Sequence, residues 1–118
     1  MEYMLLIHAD ETKFAALPDA VRGQALAAYG AYTQALQQAG VSRNSARLRS
    51  ASAATVVRVR DGKTEVQNGP FIETREELGG YYLIDVPNLD DAISWAARCP
   101  GASHGTIEVR PVWPMNEY

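Results

Sequence analysis

Cysteine is nearly absent from this 118-residue chain. Cys99 stands alone, which excludes an internal disulfide and any cysteine-based metal cluster. Lysine is scarce as well, at two residues against nine arginines, and the net charge is −3. That balance argues against nucleic acid as the main partner, because phosphate binding needs a basic stripe. No apolar run approaches the roughly 18 residues of a membrane span, so no membrane partner is expected. Glu2 stands where a secretory leader would carry positive charge, and a cytoplasmic location is the default. Internal repeats, low-complexity tracts and linkers are missing too. So are a His-x-x-x-His spacing and a Ser-His-Asp order, and neither metal nor cofactor is implied.

The rest is ordinary for a globular domain, with 47% hydrophobic and 21% charged residues. The length predicts one domain over 1–118, small enough that a partner chain would improve its surface-to-volume ratio.

Local patterns set the element order. Tyr3, Leu5 and Ile7 alternate with Met4 and Leu6, which reads as a strand apolar on both faces, followed by loop character at Asp10-Glu11-Thr12. Pro18 and Asp19 open a helix, and Gly40 closes it as a left-handed cap. Val21, Ala25, Tyr29, Tyr32 and Leu36 form its apolar stripe. Gly23 and Gly30 weaken this helix by roughly 1 kcal/mol each relative to Ala, and close packing against the sheet is the expected reason for them. A short strand is expected over Ala46 to Arg49.

Asp61-Gly62 between Thr55–Arg60 and Lys63–Gln67 is the signal for a two-residue type I′ hairpin turn. It sets Arg58 opposite Glu65 and Val57 opposite Val66, pairs worth about 0.2–1 kcal/mol each. Asn68-Gly69-Pro70-Phe71 is a turn in which Phe71 is expected to plug the core. Tyr81 to Val86 forms another strand that is apolar on both faces. Asn88 caps a helix whose stripe is Leu89, Ala92, Ile93 and Ala96, and Cys99-Pro100-Gly101 stops it. Thr106 to Trp113 is the last strand, restricted by Pro111 to an edge, an end or a bulge.

This order predicts an α+β fold of the ferredoxin-like, split βαβ kind, an antiparallel sheet with two helices on one face. The other face is then too apolar to meet water. A second copy of the same face is the simplest cover, so a homodimer is expected, with an interface on the order of 2,000 Å².

Val57 to Lys63, Asn68-Gly69-Pro70-Phe71, Glu73-Thr74, Leu78-Gly79-Gly80-Tyr81-Tyr82 and Ile107 to Val112 keep an order that resembles the YCII-related family, and within it the DGPF-domain branch. Tyr3 to Ile7 and Asp10-Glu11 resemble it as well. The resemblance implies a ferredoxin-like fold and a dimeric α+β barrel. In the branch motif Asn68 replaces an Asp, which keeps the turn and removes a charge. The wider family's candidate acid/base pair is a His and an Asp, whose places here are taken by Tyr29 and Cys99, so that pair is not carried over. The resemblance also implies a functional link to an extracytoplasmic-function sigma factor.

Site candidates follow from residue type. His8 with Asp10 suits general acid/base work, or His8 is a hydrogen-bonded histidine at the dimer seam or cavity rim. Tyr29, Tyr32, Tyr81 and Tyr82 either converge on a small-molecule pocket or pack as core. Asn68 and Glu73 belong either to turns or to the mouth of that cavity, aimed at a polar ligand. His104 reads as a solvated loop residue. Three functions compete: a dimer binding a small polar or aromatic ligand in a regulatory role, a cofactor-free enzyme using His8 and Asp10, and a plain interaction module.

Overall fold

A computed structural model describes residues 1–118. Strand β1 (Glu2–Ala9) buries Tyr3, Leu5 and Ile7 on one side and turns Met4, Leu6 and His8 to the other. Asp10 does not open a loop. Its carboxylate accepts hydrogen bonds from the backbone N–H groups of Thr12 and Lys13 at 3.1 and 3.2 Å, and so caps the short helix α1 (Glu11–Ala15).

Helix α2 (Asp19–Gln38) begins after Pro18, and Gly40 follows it at φ +73°, where a left-handed residue ends a helix without strain. Its stripe is buried only toward the C-terminus, at Tyr32 and Leu36; Val21 is exposed. The expected packing of Gly23 and Gly30 is not found: a Cβ on either would meet no atom within 4 Å.

Strand β2 (Ser42–Arg47) starts earlier than its composition suggests. Strands β3 (Thr55–Arg60) and β4 (Lys63–Asn68) form a separate two-stranded ribbon. Asp61 and Gly62 lie at φ +51° and +75°, the positive values that a type I′ turn needs. The ribbon pairs Val57 with Val66 and Arg58 with Glu65. Strand β5 (Glu77–Asp85) follows, then helix α3 (Leu89–Arg98), capped where the Asn88 side chain accepts from the Asp91 N–H at 2.9 Å. Strand β6 (Thr106–Pro111) lies at the sheet edge, where a proline is tolerated.

The main sheet has the order β2-β5-β1-β6, antiparallel throughout. This is the split βαβ, ferredoxin-like arrangement of an α+β fold. The sheet is open and does not close into a barrel within the chain. Its core joins Leu5, Ile7 and Ile84 to Tyr32 and Leu36 of α2 and to Ala92 and Ala96 of α3, so the two long helices share one face. Leu89 and Ile93 were expected in that core but are exposed, because α3 meets the sheet through its alanines.

The other face carries Met4, Leu6, Tyr81 and Leu83, all half-buried. The molecule is 18 Å thick against 48 and 47 Å along its other axes, the depth of one sheet with one helix layer. No third layer lies over this open face. Phe71 does not plug the core either: it is 70% exposed, with the Arg58 guanidinium 5.3 Å from its ring centre.

Candidate functional site

The β1–β5 ladder has a bulge. Ile7 pairs with Gly80 and His8 pairs with Leu78, leaving Gly79 over. The bulge sets Leu78 beside His8 on the open face. The loops on either side of the β3–β4 ribbon then wall a groove of about 740 Å³ at this end of the sheet. Its apolar wall is Leu48, Pro70, Phe71, Ile72 and Leu78; its polar groups are His8, Arg49, Thr74, Glu76 and Glu77. Arg49 meets no carboxylate of the chain. The Glu77 carboxylate accepts from the Thr74 N–H at 2.9 Å, and Glu76 accepts from the Thr106 hydroxyl at 2.8 Å, so one carboxylate is tied into the loop and the other to the start of β6.

His8 is engaged by Glu108 of the neighbouring strand: Nε2 lies 3.2 Å from Oε1. The other Glu108 oxygen takes a 2.5 Å bond from Arg110. Arg110 first, and then His8, holds Glu108 below the usual carboxylate range. An ionised carboxylate only accepts, so His8 Nε2 is the donor to Glu108, and Nδ1 has no partner within the chain. A ring fixed in one tautomer by a carboxylate is an arrangement able to take a proton from a bound molecule.

Asp10 is placed elsewhere. Besides capping α1 it accepts from the Thr12 hydroxyl at 2.6 Å and lies 3.9 Å from Arg75 Nε. The Thr12 hydroxyl, followed by the Lys13 N–H, lowers its pKa. The structure thus brings His8 to Glu108, one hundred residues away, and gives Asp10 to the helix cap.

The tyrosines divide between the two faces. Tyr32 and Tyr82 stack edge to face at 5.2 Å on the helix side. The Tyr32 hydroxyl donates to the Trp95 carbonyl at 2.7 Å, and the Tyr82 hydroxyl lies 2.7 Å from Thr33 Oγ1. Tyr81 is on the open face, where its hydroxyl accepts from Asn44 at 3.3 Å. The four rings therefore do not surround one pocket. Tyr29 lies beside Cys99, hydroxyl to sulfur 4.0 Å. Burial raises both pKa values, so neither group ionises near neutral pH. Asn68 ends β4, and Glu73 follows Ile72; both are exposed and flank the groove's 70–72 wall without lining it. His104 is an exposed residue after α3.

Sequence reasoning paired His8 with Asp10 rather than with Glu108. Glu108 stands opposite Leu6, diagonal to His8, and only the β1–β6 register shows that closeness. Arg49 carried no motif, and Pro70-Phe71 carried only a turn and the family resemblance, neither of which marks a groove wall.

The fold and site define an α+β domain with an antiparallel four-stranded sheet backed by two helices, and with a groove and a carboxylate-held histidine at one end. The model of the YCII-related domain family matches residues 1–116, and the chain belongs to that family. It is also similar to an uncharacterised protein of Rhizobium meliloti (strain 1021), with 36% identity over 114 residues that cover 95% of this chain and 92% of that protein.

Proposed function

We propose that the chain, one YCII-related unit over its whole length, acts as a homodimer that binds a small polar or aromatic ligand in the groove beside His8. Surface supports the dimer. The chain exposes 8208 Å², whereas a compact monomer of 12.9 kDa exposes about 6,300 Å². Its radius of gyration is 16.3 Å against about 13.5 Å for a compact chain of this length. Two open faces stacked on each other would form the dimeric α+β barrel and hide Met4, Leu6 and Leu83. The observation that carries the ligand reading is the groove's place, at the rim of the face that needs covering, so that dimerisation would roof it. Arg49 favours an anionic head, the unpartnered nitrogen of His8 a hydroxyl that donates to it, and Phe71, Ile72 and Leu78 an apolar body.

Sedimentation at micromolar concentration tests the dimer, with Leu6→Glu expected to give folded monomers. A well-folded wild-type monomer at those concentrations would refute it. 4-Hydroxybenzoate and benzylamine, followed by thermal shift, test the groove. The anion is expected to stabilise the wild type, and His8→Ala and Arg49→Ala to remove that effect.

A second reading, general acid/base catalysis without a cofactor, is supported by the His8–Glu108 contact, with Asp10 acting on the site only through the α1 cap beside it. Turnover that survives both His8→Ala and Glu108→Gln would exclude it. The remaining ligand-site candidates join this proposal as the open face itself (Tyr81), its backing from the helix side (Tyr29, Tyr32) and the groove's outer lip (Asn68, Glu73). Membership of the DGPF branch, a cytoplasmic setting and a regulatory link to an extracytoplasmic-function sigma factor rest on the sequence resemblance, and co-purification with the sigma factor would test the link.

A further inference from the structure

The β3–β4 ribbon has two unlike faces. Arg58, Arg60, Lys63 and Glu65 lie on one; Val57, Val59 and Val66, with Thr55 and Thr64, lie on the other, which has no charge. The three valines are 59%, 63% and 65% exposed. A lone two-stranded ribbon is marginally stable in water, and an uncovered row of β-branched residues makes it prone to pairing with whatever it meets. The ribbon does not fold back over its own sheet, since the slab has no room for a third layer. It stands out as an arm.

Three observations point to a second copy of the chain as the occupant of the valine face. First, the surface beyond that of a compact monomer is about 1,900 Å², whereas the four-stranded face has a footprint of only about 400 Å² (four strands about 4.8 Å apart, six residues at about 3.3 Å). A stable interface takes about 800 Å² of accessible surface from each partner, and the arm adds about half as much footprint again to that of the sheet. Second, the chain turns the valine row away from itself. The arm is rooted where the Gly69 N–H meets the Ala54 carbonyl at 2.8 Å, and Arg58 of its charged face covers the Phe71 ring of the groove wall, which leaves the valine face uncovered on the other side. Third, the two central strands of the open face carry no charge at Met4, Leu6 and Leu83, with Glu108 and Arg110 confined to the edge strand β6.

We infer that the β3–β4 arm is a clasp: in the homodimer proposed above, on which this rests, each copy lays Val57, Val59 and Val66 against its partner, and the arm's root holds Phe71 in place as the outer wall of the groove. Two-fold symmetry repeats the contact, so two arms hold one dimer.

The test combines sedimentation with hydrogen exchange on the full chain. Val57→Glu/Val59→Glu is expected to weaken the dimer by about tenfold or more, and Arg58→Gln, on the charged face, to leave it unchanged. In the wild type the amides of 55–68 are expected to be protected at concentrations where the chain is dimeric and to lose protection on dilution. This second readout needs no variant to fold. A dimer whose dissociation constant is untouched by the two glutamates overturns the clasp and leaves the sheet-on-sheet dimer standing. Arm amides that exchange freely while the chain is dimeric overturn it as well. A wild-type monomer throughout removes the dimer and the clasp together.

Discussion

Gly23 and Gly30 offer a sharp test of how α2 sits. Both lie inside the helix, and a Cβ at either would meet nothing within 4 Å. Alanine at each position should therefore act through the chain itself: it narrows the unfolded ensemble and favours the helix, by about 1 kcal/mol per site. The two sites are seven residues apart, two turns along the helix, so their effects should add to about 2 kcal/mol. Unfolding entropy for a chain of this length is about 0.25 kcal/mol per kelvin at the midpoint, which converts that gain into a rise of about 8 °C in Tm. Urea unfolding should show a higher midpoint at an unchanged slope. A double variant less stable than the wild type would refute the reasoning. It would mean that another surface lies close against this side of α2, and that the glycines exist to admit it.

Gly101 should behave in the opposite way. A Cβ there would stand 2.4 Å from the Tyr29 hydroxyl and 3.3 Å from Ile7 Cγ2, so Gly101→Ala should destabilise by about 1–3 kcal/mol in urea unfolding. Tyr29→Phe in the same chain should recover part of that loss by removing the oxygen. Acid stability should depend on Asp85. The N-terminal amine bonds its carboxylate at 2.8 Å and, ahead of Arg43, lowers its pKa. The pairing therefore favours the folded state above the ordinary carboxylate range, near pH 4, and is lost as pH falls through the lowered value. Melting curves from pH 6 to pH 2 should fall less steeply for Asp85→Asn than for the wild type.

The sequence was legible where local chemistry decides conformation. Asp61-Gly62 permits essentially one tight turn, so the β3–β4 register followed from two residues. Pro18 and Gly40 marked the limits of α2, and Asn88 the start of α3, for similar reasons. Strand β2 was misplaced because Ser-Arg-Asn-Ser has little strand preference; it is extended because β5 pairs with it. Phe71, Leu89 and Ile93 were misjudged on one ground: an apolar side chain near a turn or on a helix says nothing of whether an element lies opposite it. The site was half visible. His8 drew attention as one of two histidines, while Glu108 looked like any strand carboxylate until the sheet order set β6 next to β1.

The extra residue in β5 has a consequence of its own. Were Gly79 drawn into the ladder instead of bulging out of it, it would take the place opposite His8, and every side chain before it would swap sides, sending Leu78 toward the helices. What neighbours His8 is thus decided by the pairing of the backbone as much as by the choice of amino acid. Shortening the strand by that single glycine would keep the greasy floor under the ring and only straighten the ladder, whereas flattening the bulge with the glycine in place would put a bare backbone there.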